Sequence, residues 1–216
     1  MEKLSSFKPK VLGAIVISVI LSELIWYSYK KYYKPRKPTT KNYPVVNEVI
    51  FFTDKGVNCR QHIYRCGSCG NEDCSDYKLR RLIKFLQSAK RTLDICIYMI
   101  TIQDIADAVK TVHSRGVRVR VIAETGMADN KGSKIPYWRK VGIPVRMKKS
   151  PYLMHHKFFI VDDELLATGS FNWTLQAISG NWDNVIVTSQ TDIVQPFVSE
   201  FEKLWTEFSR PSLDTC

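Results

Sequence analysis

Between His155 and Asn172 the chain reads HHKFFIVDDELLATGSFN, which sets His155, Lys157, Asp162, Gly169, Ser170 and Asn172 at fixed offsets. In an extended strand, side chains two residues apart share a face. His155 and Lys157 therefore project together while His156 points the other way, and Ser170 shares the face of Asn172. An imidazole can serve as nucleophile or proton carrier near neutral pH. A lysine ammonium and a carboxamide N–H beside it are donors for the anionic oxygens of a phosphodiester undergoing substitution at phosphorus. The set is thus suited to phosphodiester cleavage. Asp162, further along the same strand, is placed to brace a loop, and His156 reads as structural.

Such residues need a strand–turn–strand frame, and the surrounding pattern provides one. Val45–Thr53 reads as a strand, followed by a Cys-rich loop and an amphipathic helix over Ser75–Lys90. Thr92–Met99 is strand-like, Thr101–Ser114 helical, and Val117–Ala123 (VRVRVIA) alternates with the period of a strand. A turn-rich loop leads to a short helix over Lys134–Val141. Ile143–Met147, His155–Val161, Leu165–Thr168 and Asn184–Thr188 are further strands, and Asp192–Phe208 closes the chain with a helix. Alternation of this kind predicts an α/β fold, a mixed sheet with helices on both faces. No internal repeat is present.

The composite of His155-x-Lys157-x4-Asp162 and Gly169-Ser170-x-Asn172 resembles the signature of the phospholipase D superfamily. That resemblance implies a phospholipase D-like fold and a histidine nucleophile, His155, that forms a phosphohistidine. Lys157 and Asn172 would clamp the phosphate, with Ser170 and Asp162 completing the motif's catalytic set. A second histidine would protonate the leaving oxygen, and no metal is needed for the chemistry. It also implies a downstream acid that orients the nucleophile by fixing its tautomer, a place taken here by Asp183. With one motif and no repeat, the second histidine has to come from a second copy. Two facing imidazoles titrate as a coupled pair, one neutral and one protonated, so an isologous homodimer is expected.

Cys59, Cys66, Cys69 and Cys74 cluster together with His62 nearby. Four cysteines at this spacing can close a tetrahedral, structural zinc site, and His62 could replace one of them. Disulfides are the alternative, disfavoured in a cytosol-facing domain. Cys96 lies in an apolar strand as a core thiol.

Val11 to Tyr27 is an apolar run with one charge, Glu23. As a helix it would measure about 26 Å, at the short end for a bilayer span. Lysines flank it on both sides, aromatic residues follow it, and the heavier positive charge lies on its C-terminal side. This predicts a membrane anchor over 11–29 with the remainder facing the cytosol. A cleaved signal peptide would want small residues after the apolar core, and a buried core helix would not end in a basic, proline-containing linker. The expected organisation is a tail over 1–10, the anchor, a linker over 30–44, a catalytic domain over 45–210 with a zinc-binding insertion at 59–74, and a tail over 211–216. Basic flanks around a short anchor suit the mitochondrial outer membrane, with the endoplasmic reticulum as the alternative.

The anchor, the single motif, the Cys cluster and the run Gly-Ser-Phe-Asn-Trp-Thr followed by Gln176-Ala177-Ile178 are together similar to the Zucchini family of mitochondrial phospholipase D-like proteins. The resemblance covers essentially the whole chain. It implies a single-strand-specific endoribonuclease of piRNA biogenesis at the mitochondrial surface, with a cardiolipin hydrolase releasing phosphatidic acid as the alternative. The long linker, which sets the site away from the bilayer, favours the first. One departure is Cys74, which stands where a histidine ligand is expected.

The net charge of +11 is unevenly spread: 115–149 carries +8 while 150–216 carries −6. Arg118, Arg120, Lys131, Lys134, Arg139, Lys148 and Lys149 could line a groove for single-stranded RNA. Tyr137, Trp138, Tyr152, Leu153 and Met154 are the candidates for an acyl-chain surface, and the aromatics among them read equally as core or dimer interface. A scaffold with a relic motif is the non-enzymatic alternative, and the intact polar set argues against it.

Overall fold

The computed structural model of the chain describes residue 13 and residues 18–28, 45–55 and 73–209. The chain divides into two compact units, Met1–Pro44 and Val45–Cys216. In the first, residues 18–28 are helical and exposed. Among the described residues no helix is long and apolar enough to cross a membrane. Most of the expected span over 11–29, and all of the linker over 30–44, lies outside them.

The second unit is built on one seven-stranded mixed sheet. Its strands are β1 (Asn47–Phe52), β2 (Thr92–Ile97), β3 (Arg118–Ala123), β4 (Val145–Arg146), β5 (Lys157–Val161), β6 (Leu165–Gly169) and β7 (Asp183–Thr188), in the order β1-β7-β6-β5-β2-β3-β4. β2, β3 and β4 run parallel to one another, and every other pairing is antiparallel. The helices are α1 (Ser75–Gln87), α2 (Gln103–Ser114), α3 (Thr125–Ala128), α4 (Ile135–Lys140), α5 (Leu175–Ser179) and α6 (Thr191–Glu207).

Strand alternation divides the core in two. Leu93, Ile95, Val119, Val121, Phe159 and Val161 point to one face, where they meet α1, α2, α4 and α5. In α1, Leu79, Leu82 and Leu86 recur at helical spacing and are all buried, each contributing about 1.5–3 kcal/mol. Cys96, Ile122, Phe158, Ile160 and Leu166 point to the other face and are covered by α6 through Val194 and Phe201. Helices thus cover both faces, as the sequence predicts.

Two buried charges sit on the α6 face. Arg120 forms a two-pronged pair with Asp94 (2.8 and 2.7 Å) and reaches Glu202 of α6 at 2.6 Å. Its guanidinium also lies against the rings of Phe201 and Trp205. Burial pushes the Asp94 carboxyl up from its ordinary value, while Arg120 holds Glu202 below its own. Arg120 was expected to line a nucleic-acid groove. Packed under α6 with both carboxylates, it holds the sheet to that helix instead.

Candidate active site

The antiparallel pairings bring the start of β5, the ends of β2 and β6 and the start of β7 to one edge of the sheet. His155, Lys157, Ser170, Asn172 and Asp183 all lie there. β5 begins only at Lys157, so His155 precedes the strand proper, yet the two side chains still meet. Lys157 Nζ is 3.2 Å from His155 Nε2 and donates to the His155 carbonyl at 2.8 Å. With the lysine protonated, Nε2 is the acceptor and the imidazole proton resides on Nδ1. His156 points away, its ring 5.6 Å from that of Phe158 on the α6 face, and desolvation lowers its pKa. Desolvation also lowers the pKa of Lys157, and the Asp183 carboxylate partly offsets that effect.

Gly169 allows the next strand to approach. A Cβ at this position would collide with the backbone carbonyl of Asn184. Beyond it, Ser170 donates to Asp183 Oδ1 at 2.6 Å and its own oxygen accepts from the Asn184 amide. The second oxygen of Asp183 accepts from Asn181 at 3.2 Å. Asp183 was expected to orient His155. Its oxygens meet Ser170 and Asn181, no contact with His155 is among those of the described residues, and its charge raises the pKa of Lys157. Asn172 Oδ1 is buried with no hydrogen-bond partner among the described residues.

Asp162 separates from this group. It lies at the opposite end of β5, about 17 Å of strand away from Lys157. Its carboxylate accepts from the backbone amides of Lys90, Arg91 and Thr92. Asp162 and Asp163 take positive φ, 56° and 61°, in the tight turn to β6. Asp162 therefore holds the turn against the start of β2, and its place among the catalytic residues is not supported.

Two residues of this edge carried no motif. Tyr98, just past the end of β2, packs its ring edge-on to His155 at 4.4 Å. Glu124, just past β3, is buried and accepts from the Met154 amide at 2.7 Å, which fixes the approach to His155. Each stands at a strand's C-terminal end on the site edge, the one signal that marked it.

The surface candidates divide. Trp138 is fully buried and donates to the Ala106 carbonyl, while Tyr137 donates to Asp107. Met154 is buried against Cys96. Tyr152 and Leu153 stay open, 84% and 61% exposed, and so does Trp182 at 74%. Among the basic candidates Lys148 pairs with Glu207 at 2.7 Å. Of the proposed zinc ligands, Cys59, Cys66 and Cys69 lie outside the described residues, and Cys74 is buried at the start of α1.

Residues 82–205 match the family described as cardiolipin synthase, PLD-like domain. A protein of Chlamydomonas reinhardtii named mitochondrial cardiolipin hydrolase is 44% identical over 167 residues, 76% of this chain and 74% of that one. A human protein of the same name is 34% identical over 94% of this chain and 82% of its own. Among solved structures, NucT from Helicobacter pylori superimposes with a TM-score of 0.60 at 26% identity, covering 75% of this chain and 96% of that one. Nuc from Salmonella typhimurium, a phospholipase D family member, gives 0.59 at 23% identity over 75% and 95%, a likeness of fold. With His155, Lys157, Ser170 and Asn172 at one edge of this sheet, the chain belongs to the phospholipase D superfamily and is a phosphodiesterase of that family.

Proposed function

We propose that the protein is a membrane-anchored homodimeric hydrolase that cleaves cardiolipin through a phosphohistidine. The observation that carries the chemistry is the 3.2 Å approach of Lys157 Nζ to His155 Nε2, which aims a nucleophile's lone pair and an ammonium at one point. A phosphate oxygen entering there takes over the ammonium and frees the lone pair. His155 Nε2 then bonds to phosphorus as the P–O bond to the leaving glycerol oxygen breaks. That oxygen takes a proton from His155 of the partner subunit. Water next attacks the phosphohistidine, returning a proton to the second imidazole and releasing phosphatidic acid. Lys157 and the amide of Asn172 hold the equatorial oxygens throughout, and Asp183 fixes Ser170 beside them. No step is routed through a metal.

The lipid substrate is supported by the names of the relatives and by the surface beside the site. Tyr152 and Leu153 stand exposed three and two residues before His155, and Trp182 immediately before Asp183. An apolar rim of this kind suits acyl chains. The anchor over 11–29 would hold the protein in the mitochondrial outer membrane with the catalytic unit toward the cytosol, a reading that rests on flanking charge and on the relatives' names. Cys59, Cys66, Cys69 and Cys74 would hold a structural zinc, tying the segment before α1 to that helix.

A second reading, a single-strand-specific endoribonuclease, is favoured by the exposed Arg118, Lys131, Arg139 and Lys149. The full chain in detergent, offered cardiolipin vesicles and single-stranded RNA in brief EDTA, separates the two. Cardiolipin turnover that vanishes in His155→Ala is expected. RNA cleavage with cardiolipin untouched would reverse the assignment, and activity surviving in His155→Ala would remove the mechanism. A strictly monomeric active protein in sedimentation would remove the shared site.

A further inference from the structure

Tyr98 stands in a place that strand alternation does not give it. β2 and β5 pair antiparallel with Ile97 opposite Lys157, and directly opposed side chains share a face. A regular continuation of β2 would therefore send Tyr98 to the opposite face from Lys157 and His155. The chain instead bends at Tyr98. The cause lies just beyond it. Trp173 N donates to the Met99 carbonyl at 3.1 Å, and the Thr101 and Ile102 amides both donate to the Trp173 carbonyl, at 2.9 and 3.2 Å. The exit of β2 is thus laced to the residue after Asn172, and the lacing turns Tyr98 into the site.

There its ring meets both motif side chains. The imidazole of His155 is edge-on to it, with centroids 4.4 Å apart at 69°. The ammonium of Lys157 lies 5.0 Å from the ring centroid. His155 Nε2 and Lys157 Nζ, 3.2 Å apart, complete a closed triangle. A π face attracts a nearby cation, and an edge-on neighbour restricts the rotation of an imidazole. Both effects bear on the two groups whose mutual placement the chemistry requires.

We infer that Tyr98 is a positioning residue whose ring, rather than its hydroxyl, holds His155 and Lys157 in register. The inference rests on the histidine phosphodiesterase reading above. Misplacement of reacting groups by about 1 Å can cost on the order of a hundredfold in rate. Losing the ring should therefore lower kcat by about ten- to a hundredfold and leave KM nearly unchanged. It should also move the alkaline limb of the pH–rate profile to lower pH, because the π face favours the ammonium form of Lys157. The other ionisable groups near that ammonium are Asp183 on β7 and His155 and His156 on its own segment, and all three remain in the variants.

The test uses the full chain in detergent micelles with bis(4-nitrophenyl) phosphate, a soluble diester that needs no lipid surface. Its leaving group needs no proton, so the alkaline limb reports the ammonium and not the acid imidazole. Tyr98→Phe should retain near wild-type kcat and the wild-type alkaline limb. Tyr98→Leu should show the fall in kcat and the shifted limb. Pentafluorophenylalanine at position 98 keeps the ring's shape and inverts its charge distribution, so it should shift the limb even if the leucine variant packs poorly. Equal losses in Tyr98→Phe and Tyr98→Leu would assign the effect to the hydroxyl and overturn the inference. Wild-type kcat and limb in both the leucine and the pentafluoro variants would overturn it as well. Wild-type hydrolysis that persists in His155→Ala would instead overturn the histidine reading, a result separate from any behaviour of Tyr98.

Discussion

The two ends of β5 do opposite work with neighbouring parts of one motif. At its start, Lys157 is desolvated and carries a lowered pKa, and Asn172 has a buried oxygen without a partner among the described residues. At its far end, Asp162 accepts three backbone amides and its turn is closed. Polar groups left under-satisfied at one end and over-determined at the other mark where ligand binding and where fold stability reside. The spacing of a motif does not by itself say which of its members touch a substrate.

Lys157→Met should break the reactive end most severely, lowering the turnover of bis(4-nitrophenyl) phosphate by up to about a thousandfold with little change in melting temperature. A loss under tenfold would place the phosphate clamp elsewhere. Arg120→Met extends the bracing end to the α6 face. It leaves Asp94 buried without its cation, so chemical denaturation should read a loss of about 3 kcal/mol. Asp162→Ala strands three amides and should cost about 2 kcal/mol by the same measurement, with activity per folded molecule retained. Activity lost without a loss of stability would return Asp162 to the catalytic group.

The smallest effect is a pH shift. Asp183 raises the pKa of Lys157 against desolvation, so Asp183→Asn should lower it further. With bis(4-nitrophenyl) phosphate, whose leaving group needs no proton from the second imidazole, activity that needs the ammonium is lost as pH rises through that pKa. The alkaline limb should therefore move to lower pH. A limb that stays in place in rate profiles would show that Asp183 acts through Ser170 alone.

Much of this was legible in the chain. The alternation VRVRVIA gave β3, the amphipathic pattern over Ser75–Lys90 gave α1, and the pairing of His155 with Lys157 followed from a period of two. Alternation also put Arg118 and Arg120 on one face and could not tell them apart. Only α6, arriving from residues far along the chain with Glu202, Phe201 and Trp205, buries one and leaves the other exposed. Tyr98 escaped for a related reason, since its direction is set by hydrogen bonds to Trp173 and not by its own strand. Trp138 reads equally as acyl-chain surface, dimer interface or core until the Ala106 carbonyl is seen to receive its buried indole. Local pattern determined elements, and long-range contacts determined which side chains remained available.

The engagement of Arg120 and Lys148 with carboxylates has a thermodynamic consequence for any polyanion on this face. A cation already neutralised within the fold releases none of the counterions condensed on a nucleic acid. Seven free cations contacting a single strand would give a log–log salt slope of about −5 per protomer, whereas five give about −3.5. Binding of a nucleic acid here would respond less steeply to ionic strength than the formal charge of residues 115–149 implies, and would be weaker at low salt.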